Sequence, residues 1–397
     1  MKNYQIQTSE VSDNALIPKR TLTVGGKTVD TPAKAVPARK KRGSEELKDP
    51  SRGINEFYKN VDASKLTQAR RGTSSAIVDD LETGLRKSND DEINFVFLNW
   101  DDAQTIAQIE AEYMVDLLGS MSDVVTVPLQ IALVEAIDHS DGLTDSAYQT
   151  YKENVVRFLD VIKQRAPQAP VMGVLPPLGW DFTQDLMRVY ERHDIRLYCL
   201  NFKRRKPTAA RQIGMIRPMM QSIARRRIHE SVLFYGINMS PGTNDPSIGM
   251  RPAADMATVG MGFDIVGGSH ISPTMPPEAF EDDGEVTFRL FDKDEYARKD
   301  VLLAELPHHF PDDSSFDPEY VVKKAANSDA QRHRLQKLVN AEQMGLATRN
   351  LQSEVSSGNG FRHLTSKSGV TPETTKNIKD IRESFDFSAG QTGLSEF

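Results

Sequence analysis

The feature that most constrains this chain is an alternation that begins at residue 93. Residues 93–98 (INFVFL), 124–129 (VVTVPL), 171–175 (VMGVL), 195–200 (IRLYCL), 231–237 (SVLFYGI) and 263–266 (FDIV) are short apolar runs. Their length and Val/Ile content suit strands buried on both faces. Between them, residues 103–119, 146–165, 183–193, 213–227 and 252–260 carry helical spacing, with a cap signal at Thr144-Asp145 and an expected interruption at Pro218. A strand-plus-helix unit of about 30–35 residues predicts parallel strands joined by right-handed crossovers. A closed eight-stranded barrel and an open doubly wound sheet both satisfy that pattern. No glycine-rich dinucleotide or P-loop signature follows any of the runs, which favours the barrel. The expected fold is therefore α/β: a (β/α)8 TIM-type barrel with an N-terminal β-hairpin extension and a polar C-terminal tail.

The pattern divides the 397 residues into an N-terminal hairpin and basic arm (1–75), a barrel (76–330) and a tail (331–397). Residues 21–29 (TLTVGGKTV) read as a hairpin turning at Gly25-Gly26, and the stretch after Pro32 as a loop or mobile arm. Residues 325–352 predict one exposed helix, and the Ser/Thr/Gly-rich 353–397 a mobile or partner-dependent end. An apolar fraction of 38% agrees with part of the length being exposed. No run reaches the ~18 apolar residues of a membrane span, and residues 1–12 lack the apolar core of a signal peptide. The single cysteine, Cys199, excludes an internal disulfide and a cysteine-based zinc site, and His308-His309 match no metal-ligand spacing. The expectation is a cytoplasmic protein with no metal and no cofactor, with homo-oligomerisation left open.

The net charge of −7 argues against a nucleic-acid partner, but its distribution reverses the argument. From residue 195 to 229 there is no Asp or Glu, while Lys or Arg occupies ten positions. Lys203, Arg204, Arg205 and Lys206 form one group, Arg211 follows, and Arg225, Arg226 and Arg227 form another; Arg196 and Arg217 complete the ten. A second cluster comprises Lys34, Arg39, Lys40, Lys41 and Arg42. Phosphate recognition needs local positive charge rather than a basic average. A solvated helix face explains the same run equally well.

In a barrel, chemistry sits at the C-terminal ends of the strands. Asp101 and Asp102 directly follow an apolar run, where a carboxylate can serve as acid, base or nucleophile, or can cap the helix expected near Ala103. Asp264 interrupts an apolar strand and so either faces the barrel mouth or is paired. Trp100 and Phe202 are placed to stack on a base or to pack in the core. Gln130, Asn201 and Asn238 also stand at strand ends. Gly267-Gly268 suit close backbone approach or a tight turn, and His270 reads as an exposed loop histidine.

Several segments, in order, resemble the tRNA-guanine transglycosylase family. Residues 22–37 (LTVGGKTVDTPAKAVP) resemble its opening hairpin and Thr-Pro and Val-Pro steps. Residues 97–104 (FLNWDDAQ) stand where the family has a Thr-Asp-Ser-Gly…Gln strand end. Residues 114–130 resemble the helix and strand that end in a base-reading Asp, and 233–270 the final barrel segment. The resemblance implies a guanine-exchanging enzyme that inserts a 7-deazaguanine base such as preQ0 through a covalent glycosyl-enzyme. Asp101 or Asp102 matches the family's first Asp and Asp264 the non-nucleophilic Asp of the last strand. Gln130 takes the place of the base-reading Asp, Gly267 that of the nucleophile, and Asn201-Phe202 that of a glycine-containing loop. The missing zinc site and the absence of an RNA-binding accessory domain resemble the branch that modifies DNA. The expectation is that Asp101, Asp102 or Asp264 is the nucleophile, that Trp100, Gln130, Asn201, Phe202 and Asn238 surround the base, and that residues 203–227 hold phosphates of DNA or tRNA. Two alternatives stay open: a catalytically inactive nucleic-acid-binding relative, and a barrel enzyme on a phosphorylated small molecule cradled by the backbone of residues 266–269.

Overall fold

The computed structural model describes residues 3–12, 14–43, 45–138, 142–271 and 286–390; the last seven residues of the expected mobile end lie outside them. The chain opens with β1 (Tyr4–Val11), β2 (Pro18–Val24) and β3 (Lys27–Thr31), an antiparallel meander in the order β1-β2-β3. Gly25 and Gly26, at φ +57° and +87°, make the two-residue turn that pairs Val24 with Lys27. Both φ values are positive, which is what a right-twisted hairpin demands of such a turn. The predicted hairpin is therefore present, with β1 as a third strand.

The barrel begins earlier than the apolar alternation indicates. Its strands are β4 (Ala33–Lys34), β5 (Ile54–Val61), β6 (Ile93–Trp100), β7 (Val124–Thr126), β8 (Val171–Leu175), β9 (Leu197–Asn201), β10 (Leu233–Ile237) and, after the short β11 (Arg251–Pro252), β12 (Ile265–Val266). They run parallel in the order β4-β12-β10-β9-β8-β7-β6-β5, and a parallel bridge between Val36 and Asn55 joins the two ends. The eight strands thus form a (β/α)8 TIM-type barrel. Two of them, β4 and β5, lie inside the segment read as an arm. β4 is only two residues long, and β5 (INEFYKNV) carries Asn, Glu and Lys, so neither presents an apolar run.

The outer layer comprises α1 (Ala63–Arg70), α2 (Ala76–Leu85), α3 (Gln108–Met121), α4 (Ile131–Ile137), α5 (Ser146–Arg165), α6 (Trp180–Arg192) and α7 (Ala210–Arg225). Asp145 caps α5 as its sequence predicts, accepting from Ala147 N at 2.8 Å and Tyr148 N at 3.2 Å. Pro218 does not interrupt α7. The helix expected over 252–260 is a short 3-10 turn, Met256–Met261, too small to cover its strand.

What covers it comes from the C-terminal region. After a hairpin of β13 (Thr287–Asp292) and β14 (Ala297–Leu302) come α8 (Leu306–His309), α9 (Pro318–Ala325), α10 (Asp329–Ser356), α11 (Gly360–Thr365) and α12 (Pro372–Gly390). α10 packs along β4, and α12 packs on α7 and on the 3-10 turn. Leu335, Leu338, Leu351, Ile378 and Ile381 are fully buried. The reading of 331–397 as one exposed helix and a mobile tail is corrected for residues 331–390: α10 and α12 complete the barrel's outer ring. The error has a physical source. These helices bury apolar residues among many polar ones, so no clean amphipathic stripe marks them.

The N-terminal sheet closes the opposite end of the barrel. Lys27 Nζ reaches Asp123 just before β7 at 2.8 Å, and Thr8 Oγ1 donates to Glu230 O ahead of β10. The C-terminal strand ends are left open at the other face.

Candidate active site

At the C-terminal mouth lies a cavity of about 720 Å³, bounded by β4, β5, the turns after β10 and β12, and one face of α10. Its floor is Glu56, from β5. The Glu56 side chain has no solvent exposure. Gly268 N donates to its carboxylate at 2.9 Å, the Tyr235 hydroxyl donates to it, and His270 Nε2 pairs with it. Burial pushes the Glu56 pKa up, but the His270 charge and hydrogen bond, Lys34 and the Tyr235 hydroxyl more than offset it and hold it at about 2. Tyr235 ionises well above its ordinary range, because of burial and the carboxylate beside it. Lys34 is buried, donating to Ala35 O at 2.9 Å and Val266 O at 3.0 Å, and burial lowers its pKa to about 8.

His270 is the member of this group that turns toward the cavity. Its ring stacks on Tyr58, with centroids 5.1 Å apart and planes 4° from parallel. Its backbone N donates to Asn238 Oδ1 at 2.8 Å, and Asn238 Nδ2 donates to Asn201 Oδ1 at 3.0 Å. A chain of hydrogen bonds therefore ties the ends of β9, β10 and β12 and fixes where His270 stands. Three non-glycine residues here, Asn238, Lys203 and Arg204, hold positive φ (+56°, +46° and +61°). Such backbone costs about 1–3 kcal/mol per residue and persists only where surrounding bonds hold it.

The sequence candidates separate. Asp101 is at the mouth and exposed; Asn99 Nδ2 donates to it at 3.2 Å, and its charge adds to burial in raising the Tyr58 hydroxyl. Asp102 instead accepts from Ala63 N at 2.9 Å, at the start of α1 rather than of the helix near Ala103, because α3 begins five residues later than expected. Asp264 lies at the opposite end of the barrel, just before β12. Arg20 Nη1 donates to it at 2.7 Å, Thr31 Oγ1 at 3.1 Å and Phe234 N at 2.8 Å. Burial raises its pKa, and those partners only partly oppose that. It latches the N-terminal sheet to the barrel floor and cannot reach a substrate at the mouth.

The expected base-binding set is largely structural. Trp100 is fully buried, its indole N–H donating to Gln104 O at 3.1 Å. Phe202 is fully buried against Phe263. Gln130 is buried and accepts from Asn154 Nδ2 at 2.8 Å, fastening the end of β7 to α5. Asn201 and Asn238 are buried in the hydrogen-bond chain that carries His270. None presents a free edge to a purine; their amides went to the scaffold because buried polar groups must be paired.

The basic run also separates. Lys203, Arg204, Arg205 and Lys206 follow β9 at the mouth, whereas Arg225, Arg226 and Arg227 close α7 at the far end, about 24 Å away for a 16-residue helix. At the mouth, Lys203 pairs with Glu135 at 3.4 Å, and Arg205 and Arg211 both pair with Asp138. Arg226 pairs with Glu191. Of the run, Arg204 lines the cavity.

Sequence reasoning missed Glu56, Tyr235, Tyr58 and the α10 residues Lys337 and His333. Glu56 had one legible signal, a carboxylate among apolar residues in INEFYKNV. Position 267 explains its placement. A Cβ on Gly267 would stand 2.6 Å from Glu56 Oε2, so the Glu56 carboxylate fills the space that a side chain at 267 would need. The amides of residues 267, 268 and 270 all donate within the protein, to Gly236 O, Glu56 and Asn238 Oδ1. Two of the amides in the 266–269 stretch expected to cradle a phosphate, those of Gly267 and Gly268, are therefore already engaged within the protein. Among the described residues no group of three or more His, Cys, Asp or Glu side chains is arranged to hold a metal ion, and no helix is long and apolar enough to cross a membrane. Compared with protein families and with curated proteins, the chain matches neither a family model nor a curated sequence.

Proposed function

We propose that this protein exchanges a purine base in nucleic acid, guanine for a 7-deazaguanine, at the mouth of the barrel. The observation that carries the reading is the pairing of a buried Glu56 with His270 at a basic cavity, with His270 stacked on Tyr58 and the exposed Asp101 near enough for its charge to act on the Tyr58 hydroxyl. Asp101 is the exposed carboxylate among the three Asp candidates, and so the nucleophile. It attacks C1′ of the target nucleotide as the C1′–N9 bond breaks. Protonated His270 delivers its proton to the departing guanine. In the second half, neutral His270 takes the N9 proton of the incoming base, whose N9 attacks C1′ and releases the Asp101 carboxylate. This is the double displacement of retaining glycosidases, with histidine in place of the acid–base carboxylate. Glu56 is a positioning residue that holds His270 in orientation through their pairing. The target base must leave its stack to enter the cavity. DNA is the favoured polymer, with tRNA second.

A labelled-guanine exchange assay on double-stranded DNA, single-stranded DNA and tRNA tests the reading. Asp101→Asn is expected to abolish exchange and the covalent nucleic-acid adduct seen on denaturing gels. His270→Gln is expected to slow exchange about 10²–10⁴-fold, and Asp102→Asn to leave it near wild type. Exchange at wild-type rate in Asp101→Asn, or none on any substrate, sinks the proposal. The last outcome supports the second reading, a binding relative without activity, which is favoured by Gly267 standing where the resemblance puts the nucleophile.

A further inference from the structure

Eight Lys or Arg side chains line the cavity against two carboxylates, Glu56 and Asp255. Four of the eight are already neutralised by carboxylates: Arg39 by Asp80, Arg289 by Asp300, Arg298 by Asp255 and Arg334 by Glu45. Three lysines are different. Lys34, Lys40 and Lys337 have no carboxylate within 4 Å among the described residues. They come from three elements: Lys34 from β4, Lys40 from the 3-10 turn Ala38–Lys40, and Lys337 from α10. Tertiary structure alone brings them together.

We propose that Lys40 and Lys337, above the buried Lys34, form a phosphate-binding site at the rim of the cavity, which holds the phosphate of the nucleotide undergoing exchange. Only the source of that phosphate rests on the nucleic-acid reading; the site itself does not. The α10 arm of the site is anchored: Lys337 Nζ donates to Ser269 O at 2.9 Å, next to His270. A phosphate bound at Lys337 is therefore tethered one residue from the group assigned to proton transfer. His333, one turn earlier on α10, also lines the cavity and adds a donor on the same face.

The charges are held at a cost without an anion. Burial and the cations Arg39, Arg42 and Arg334 lower the Lys40 pKa, and burial followed by Lys40 itself lowers that of Lys337, with Glu56 opposing. Like charges converging with no carboxylate in contact among the described residues are expected at a site for an anionic ligand rather than in a structural network. The donor type fits as well. Ammonium groups bind phosphate as point charges, and two from different elements, over the buried charge of Lys34, meet from more than one side an anion that a single guanidinium would meet from one. The cavity volume lies in the range of small-ligand sites and admits a nucleotide.

The test is fluorescence anisotropy of a labelled single-stranded DNA across a salt series, with calorimetric titration of ribose 5-phosphate as a second arm. Wild type is compared with Lys40→Gln, Lys337→Gln and the double variant. Arg225→Gln, at the far end of α7, is the control, and thermal melts verify folding. Each lysine removed is expected to flatten the slope of log K against log salt by about 0.7, and the pair by about 1.4, while Arg225→Gln leaves it unchanged. Ribose 5-phosphate is expected to bind wild type and to weaken in the same variants. If only ribose 5-phosphate responds, the site stands with a small phosphorylated ligand and the nucleic-acid reading fails. If folded double variant matches wild type in both arms, the phosphate site is refuted, whatever the exchange assay gives.

Discussion

Glu56 and Asp264 are both carboxylates with no exposed side-chain surface, yet their surroundings act in opposite directions. At Asp264 burial dominates over Arg20 and raises the pKa; at Glu56 the His270 pair, Lys34 and Tyr235 win and lower it to about 2. The sign matters for stability. A carboxylate whose folded value lies below its unfolded one stabilises the fold at pH above the unfolded value. That stability is lost as pH falls from near 4.5 through about 2. Asp264 works the other way, since folding favours its protonated form. Glu56→Gln is therefore expected to flatten the acid limb: wild-type melting temperature drops between about pH 4.5 and pH 2, and the variant's drops less. Melting curves across that range check it, and equal slopes would remove the Glu56 pair as a source of stability.

Two glycines in helices make opposite predictions at the scale of elements. Gly214, in the exposed part of α7, would place a Cβ in open space. Gly214→Ala is expected to stabilise by up to about 1 kcal/mol, the usual helix-propensity difference. Gly345, in α10, would place a Cβ 2.6 Å from the Ser51 Cα. There α10 lies against the short 3-10 turn Asp49–Ser51, with Ser51 Oγ donating to Glu342 O at 2.7 Å. Gly345→Ala must push the helix off backbone, and overpacking costs about 1–3 kcal/mol, more than propensity returns. Denaturant melts of the two variants read the difference directly. The same contact explains why α10 was misread. Its buried Glu342 accepts from a loop amide at Lys48 and from the Ser315 hydroxyl, so burial there does not require an apolar residue.

The molecule as a whole is closed by its two ends. β4 pairs with β12 across more than 200 residues, and the Val36–Asn55 bridge completes the ring. Contacts of such sequence separation form late and at an entropic cost. Removing residues 1–36 deletes the floor sheet, the Arg20 latch on Asp264 and one barrel strand together. The truncated chain is expected to lose cooperative thermal unfolding, followed by circular dichroism; a sharp transition near the wild-type temperature would show that the barrel closes without β4.

The sequence by itself determined the βα alternation, and through it the fold class. Buried parallel strands must be continuous apolar runs, and that period survives without knowledge of contacts. It also determined the Gly25-Gly26 turn, the Asp145 cap and the position of Asp101 at a strand end, all set by neighbours close in the chain. Tertiary structure alone decided the rest. Whether Asp264 faced the mouth or the floor depended on which end of β12 it occupied. Whether ten basic residues formed one patch depended on the length of α7. The Glu56–His270 pair joins residues 214 apart, and the three lysines of the rim come from three elements. Polar groups acquire their roles from what the fold brings opposite them, and one chain's periodicity carries no record of that.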